Sequence, residues 1–164
     1  MRRVVVKLTP DSVDNAIKEL RNFQKWLAEK TELFVEELGR EGVAVAQLKF
    51  STAPYDGERD VTVTSEKRGR YKVAVSAIGK SVLFIEFGTG ITFAGTTHPE
   101  GAATGMVPGS WSDGPEGKGH WKDPKGWYYK HGMRSLGNPP GMAMYETVRE
   151  LERKMEEIAR RVFV

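Results

Sequence analysis

The ten residues from Ser81 to Gly90, SVLFIEFGTG, place one carboxylate in a run of large apolar side chains, directly before a Gly-Thr-Gly turn. An unpaired carboxylate in an apolar interior costs several kcal/mol or becomes neutral, so Glu86 must reach water, a basic partner or backbone N–H groups. Alternation along the run puts Ile85 on one face and Glu86, with Phe84, on the other. We therefore expect a central strand here, with Glu86 outside the core.

The residues before this run alternate between apolar and polar with a period of two. The alternation covers 61–64 and 71–76, and the basic segment Lys67-Arg68-Gly69-Arg70 lies between them. This pattern predicts an antiparallel hairpin with its turn at 67–70. We therefore expect residues 60–90 to form a small antiparallel sheet, in which the apolar run is the third strand. A further short strand near 126–130 would give the sheet three to four strands.

A long helix is predicted in the N-terminal region, 9–52. Thr9 is a suitable N-cap and Pro10 a suitable first helical residue. Gly39 and Gly42 interrupt the pattern, so a second short helix is expected over 43–50. Apolar residues recur at multiples of 3.5 to 3.6 along the first helix: Val13, Ile17, Leu20, Leu27, Phe34 and Leu38.

A second amphipathic helix is predicted over 142–163. We expect it to pack on the sheet, on the same side as the first helix and against it, because three strands offer few apolar faces. The fold class is then α+β. The apolar positions alternate gaps of four and three: Met144, Val148, Leu151, Met155, Ile158 and Val162.

The segment between the predicted sheet and the second helix, 91–138, is an irregular insert without periodicity. It holds more than half of the chain's 18 glycines and three of its four tryptophans. It is too long for an ordinary connection and too aromatic for a disordered linker. Its aromatic side chains are expected either to form a small core that pins the long loop or to contact another protein or subunit, where such residues are enriched: Trp111, Trp121, Trp127, Tyr128 and Tyr129.

Length and composition limit the remaining possibilities. A chain of 164 residues is expected to form a single domain, 1–164. It has no cysteine, which excludes disulfides, thiolate nucleophiles and Cys-ligated zinc. No apolar run approaches the roughly 20 residues of a membrane span. The net charge of +3 comes from interspersed residues of both signs, unlike the concentrated basic surface of a dedicated nucleic-acid binder.

No catalytic, cofactor-binding or metal-binding set emerges from the motifs. Glu86 has no His, Ser or Lys at a diagnostic spacing, and Gly88-Thr89-Gly90 lacks the lysine and the helix of a phosphate loop. His98, His120 and His131 show no HxH or HExxH spacing. We therefore expect a protein that is not an enzyme, without cofactor or metal.

The residues leave two specific classes of function open. A nucleic-acid-binding module would use the aromatic insert, the hairpin's basic residues and four lysines of the insert; the lysines are Lys118, Lys122, Lys125 and Lys130. A small hydrolase would use Glu86 with one histidine.

Several motifs together resemble one family. They are Phe84 to Gly90 with its E-F-G-T-G, the segment Trp127-Tyr128-Tyr129, and Gly137-Asn138-Pro139-Pro140 before a terminal helix. This combination resembles the gene-product-ten family of tailed-phage neck proteins, the head–tail joining or tail-completion proteins of siphophages. The residues that carry the resemblance are Glu86, Phe87, Gly88, Thr89, Gly90, Asn138, Pro139 and Pro140.

The resemblance implies a structural role in virion assembly. Such proteins of phages and prophages are made in the bacterial cytoplasm and form a ring in the neck of the virion, between head and tail. The expected partners are other copies of the chain and other neck and tail proteins. DNA would pass only as cargo, and no membrane would be involved. On this interpretation Glu86 organises a turn at the end of a strand.

Overall fold

A computed structural model describes residues 7, 9–55, 57–88, 127–129, 133–135 and 137–164 of the chain. The described part is α+β, with a long helix near the N-terminus, a C-terminal helix and antiparallel strand pairs between them. The elements in chain order are α1 (Pro10–Thr52), β1 (Thr62–Gly69), β2 (Lys72–Ile78), α2 (Val82–Phe87), β3 (Trp127–Tyr129), β4 (Met133–Ser135) and α3 (Ala143–Phe163).

Helix α1 is one continuous helix of 43 residues, with Thr9 as N-cap and Pro10 at its start, as predicted. The expected break at the two glycines is wrong. A Cβ atom on Gly39 would lie 2.7 Å from Val73 Cγ2, and one on Gly42 would lie 3.0 Å from Val75 Cγ2. The glycines lower helix propensity by about 1 kcal/mol each, but they let β2 approach the helix closely. Tertiary packing therefore carries α1 through both positions.

The predicted hairpin is present, but its turn lies elsewhere. Strands β1 and β2 are antiparallel and Gly69 pairs with Lys72, which leaves residues 70 and 71 as the turn. Lys67, expected in the turn, belongs to β1, and the register shifts between Lys67 and Gly69. Its ammonium group contacts the carboxylates of Glu32 and Glu36 on α1. These contacts hold the end of β1 against the helix.

The predicted third strand is wrong, because residues Val82–Phe87 form helix α2. Among the described residues, a sheet of three to four strands is not observed either. Strand β1 pairs with β2, and β3 pairs with β4, as two separate two-stranded sheets. In helical geometry Ile85 and Glu86 are both buried. Glu86 is therefore inside the protein and not on a face opposite the core.

Helix α3 packs along α1, as expected, but not on the sheet, which corrects the other part of the expected arrangement. Lys154 Nζ lies 2.7 Å from Glu41 Oε1, and Lys30 Nζ donates to the carbonyl oxygen of Val162 at 2.6 Å. These pairs run in opposite directions along the two helices, so α1 and α3 are antiparallel. The Phe163 ring closes the far end of the contact against α1. Helix α1 thus carries the hairpin on one face and α3 on another.

The core lies where the C-terminal half of α1 meets β1, α2 and the start of α3. Phe50 and Ile85 are its largest fully buried side chains. No helix in the described part of the chain is long and apolar enough to cross a membrane. The buried core residues are Ala46, Phe50, Ala53, Val63, Ile85 and Ala143.

Candidate functional site

Two of the motif segments, 86–88 and 138–140, meet at the beginning of α3, although about fifty residues separate them in the sequence. The structure therefore brings together Glu86, Phe87 and Gly88 with Asn138, Pro139 and Pro140. Thr89 and Gly90 lie outside the described residues. We call this contact between the end of α2 and the start of α3 the Glu86 junction.

The carboxylate of Glu86 caps helix α3. Its Oε2 accepts the backbone N–H of Met144 at 2.7 Å, and its Oε1 accepts the N–H of Tyr145 at 3.0 Å. The N-cap residue, Met142, has left-handed backbone angles and provides no side-chain cap. The first N–H groups of a helix have no partner within the helix, and a negative charge there is favoured by the helix dipole. Glu86 supplies from another element what the local sequence lacks.

Backbone groups add two hydrogen bonds at the same junction, in which N–H groups just before α3 donate to carbonyl oxygens at the end of α2. The N–H of Gly141 donates to the carbonyl oxygen of Ile85 at 2.6 Å, and the N–H of Met142 donates to that of Glu86 at 3.2 Å. The last carbonyl groups of a helix also lack partners within the helix. The end of α2 and the beginning of α3 therefore satisfy each other, which fixes the two elements together.

Gly88 is required by both its conformation and its surroundings. Its φ of 76° with ψ of 179° is strained for any residue with a side chain. A Cβ atom there would also lie 2.7 Å from the carbonyl oxygen of Asn138 and from the nitrogen of Pro140. The glycine of the E-F-G motif thus allows the N-P-P segment to lie directly against it.

Asp60 organises the other end of α2. Its carboxylate accepts the N–H of Lys80 at 2.7 Å, the N–H of Ser81 at 2.9 Å and the Ser81 hydroxyl. The hydrogen bond from that hydroxyl, followed by those from the two backbone N–H groups, lowers the pKa of Asp60 to about 2. No local sequence motif points to Asp60, because its partners lie 20 and 21 positions further along the chain.

The Glu86 junction suits structural support better than catalysis. Both oxygens of Glu86 accept backbone hydrogen bonds, and the residue is only 6% exposed. A general base must reach a substrate proton in a cleft. Among the described residues, the N–H groups that the Glu86 carboxylate accepts belong to α3, while the turn that was expected to supply donors continues at residues 89 and 90, outside the described part.

Carboxylates partner several basic side chains of the hairpin. Lys67 lies between Glu32 and Glu36, and the hydrogen bond to Glu32, followed by that to Glu36, raises the pKa of Lys67. The Arg70 side chain lies 3.4 Å from Glu32, and that of Arg68 lies 2.8 Å from a neighbouring carboxylate. Each of these three basic side chains would have to leave its carboxylate before it could contact a phosphate.

The remaining predicted residues fall mostly outside the described part. Trp111 and Trp121 lie outside the described residues, and so do the three histidines and the four lysines of the insert. Residues 127–129, Trp-Tyr-Tyr, form β3, the short strand expected in this region. Among the described residues, no group of three or more His, Asp or Glu side chains could hold a metal ion.

A second candidate surface lies on the N-terminal half of α1. Helix α3 covers α1 only as far as Trp26, whose ring contacts Phe163 edge-on at 6.2 Å between centroids. Beyond that point large apolar side chains are between 38 and 53% exposed. We call this surface the α1 stripe; its residues are Val13, Ile17, Leu20, Phe23, Trp26 and Leu27.

Comparison of the chain with protein-family models, with curated proteins and with solved structures gave no match.

Proposed function

We propose that this chain is a structural subunit of the neck of a tailed phage, where copies of it form a ring that completes the tail end and joins it to the head. The protein acts by assembly and not by catalysis. Its partners are other copies of the chain and neighbouring neck and tail proteins, and DNA only passes through the channel.

The observation that carries this proposal is the Glu86 junction. Two of the motif segments that resemble the neck family, 86–88 and 138–140, meet at one place, and their residues have a common structural task there. Glu86 caps α3, and Gly88 admits the segment from Asn138 to Pro140. Such a junction fixes the orientation of α3, and a ring subunit needs rigid elements to present its contact surfaces.

The distribution of charge also supports the proposal over the nucleic-acid-binding alternative. The basic side chains at the hairpin end face carboxylates, and the net charge is only +3. A channel that DNA must traverse is better served by a weakly charged lining, because each contact between phosphate and a basic side chain adds affinity. The α1 stripe adds an apolar surface of the kind that buries against a partner.

Deletion of the gene from the phage or prophage that carries it tests the proposal. Lysates without the gene are expected to contain DNA-filled heads and complete tails that are not joined, as seen by electron microscopy. Supplying the wild-type chain from a plasmid should restore joined virions. Joined, infectious particles at the normal yield without the gene would contradict the proposal.

A binding measurement separates the alternative function. Retention of the purified chain on double-stranded DNA at low salt, lost steeply on modest addition of salt, would favour a nucleic-acid-binding module. The proposed neck subunit is expected to show little retention at physiological salt.

A further inference from the structure

We infer that the α1 stripe is the surface through which one copy of this chain packs against the same stripe of a second copy. The inference deepens the proposed function and rests on it for the expectation that copies associate. The surface itself is assigned from the exposure, spacing and charge of the described residues.

The stripe continues the line along which α3 packs. Phe34 and Trp26 both contact the ring of Phe163, and Leu27, Leu20 and Val13 follow them toward the N-terminus of α1. At 100° per residue these positions fall on one side of the helix. The same side that binds a helix in the C-terminal half of α1 is therefore left uncovered by the described elements in the N-terminal half.

The size of the stripe matches a contact between subunits. From Val13 to Leu27 it extends about 21 Å along the helix axis. Six large apolar side chains at 38 to 53% exposure present on the order of 500 Å². An apolar patch of this size is at the upper end for a monomer, and about 800 Å² per partner is usual for a specific interface. The polar rim around the stripe would supply the remainder.

The spacing of the stripe fits another helix. Val13, Ile17 and Leu20 are separated by four and three residues, and Leu27 follows one heptad after Leu20, which is the pattern of helix–helix seams.

The surrounding charges favour self-association. Between Val13 and Leu27 there are three basic and two acidic residues, so two copies can approach without strong repulsion. The other exposed large apolar side chains of the described part, among them Leu48, Ile78, Val148 and Met155, are scattered over several elements and form no row as long as the α1 stripe. Within the described part, the best complement to the α1 stripe is therefore the stripe itself. A contact between identical surfaces is isologous and pairs two copies, and a ring needs a heterologous contact in addition.

A matched pair of substitutions tests the inference. Leu20 is 53% exposed near the middle of the stripe, and Asn22 is exposed about 160° around the helix from Leu20. Light-scattering mass and sedimentation should show that the wild-type chain associates. Leu20→Glu should weaken association by at least about 30-fold, because it places a charge in the apolar contact. Asn22→Glu should leave association unchanged.

Cysteine cross-linking gives an independent readout, because the chain has no cysteine of its own. Under mild oxidation Leu20→Cys should form covalent dimers at least about tenfold faster than Asn22→Cys, since a disulfide needs its Cα atoms within about 7 Å. This readout decides the matter if Leu20→Glu fails to fold.

Three results would overturn the inference. One is a single-copy mass for the wild-type chain up to about 0.2 mM, where even a weak contact of this size would be populated. Another is association of Leu20→Glu equal to that of wild type. The third is equal cross-linking of the two cysteine variants. Each result would leave the gene-deletion outcome unaffected, so failure of this inference is distinguishable from failure of the proposed function.

Discussion

Replacing Glu86 with alanine is expected to lower the free energy of unfolding by about 2–4 kcal/mol. Loss of a helix N-cap costs about 0.5–2 kcal/mol, and a carboxylate in a partly buried position at a helix N-terminus contributes up to about 2 kcal/mol. Both effects apply here, because Glu86 is 6% exposed and accepts two N–H groups of α3. The substitution also leaves the N–H groups of Met144 and Tyr145 without this acceptor, and an unsatisfied buried donor costs about 1–3 kcal/mol.

Thermal and urea unfolding, followed by circular dichroism, measure this effect. For a chain of this length the loss corresponds to a decrease in Tm of roughly 5–12 °C. Glu86→Gln keeps one acceptor oxygen, so its loss should be smaller than that of alanine. Glu157→Ala, an exposed position on α3, is the matched control and should stay within about 0.5 kcal/mol of wild type. A loss for Glu86→Ala no larger than that of Glu157→Ala would refute the capping argument.

Two further predictions concern the ends of α2. Gly88→Ala should destabilise the chain by about 2–4 kcal/mol, because a side chain is strained at φ 76° and meets the N-P-P backbone. Gly69→Ala is the control and should cost much less, because the nearest atom to an added Cβ is 4.0 Å away. Equal urea midpoints for the two variants would contradict the packing argument. Asp60 has a pKa lowered from 3.8 to about 2, so its contribution to stability is present above about pH 4 and is lost as the pH falls through 2. The difference in urea midpoint between wild type and Asp60→Asn should therefore be constant above pH 4 and shrink toward pH 2, and a difference independent of pH would show that the carboxylate charge is not responsible.

The sequence by itself determined the long elements at both ends of the chain. Helices α1 and α3 have apolar residues at helical spacing over many turns, and their starts at Pro10 and near Met142 were predicted. The hairpin was visible for the same reason, as a sustained period of two. A long periodic pattern identifies a helix or a strand because each further repeat agrees with one period and disagrees with the other. The side that faces the core did not follow from the same pattern, because Leu20 and Leu27 of α1 and Val148 and Met155 of α3 are exposed.

Tertiary structure alone decided the short elements. The run from Val82 to Phe87 is apolar and only six residues long, a length at which strand and helix have the same appearance in sequence. Contacts from distant residues resolve this ambiguity: Asp60 holds the N–H groups at its start, and Gly141 and Met142 bind the carbonyl groups at its end. Helix nucleation is unfavourable, and a six-residue helix forms too few internal hydrogen bonds to offset it. Such a helix therefore forms where the rest of the fold supplies hydrogen-bond partners for both ends.

The role of Glu86 shows the same division. The sequence established that a carboxylate in this apolar run needs hydrogen-bond donors, because an unpaired buried charge is too costly. It did not identify the donors, since Met144 and Tyr145 lie 58 and 59 residues further along the chain. Likewise, Gly39 and Gly42 were expected to break α1 on propensity alone, whereas the close approach of Val73 and Val75 makes small residues necessary there. Local propensity and charge fix what each residue requires, and only the folded chain decides which distant group meets the requirement.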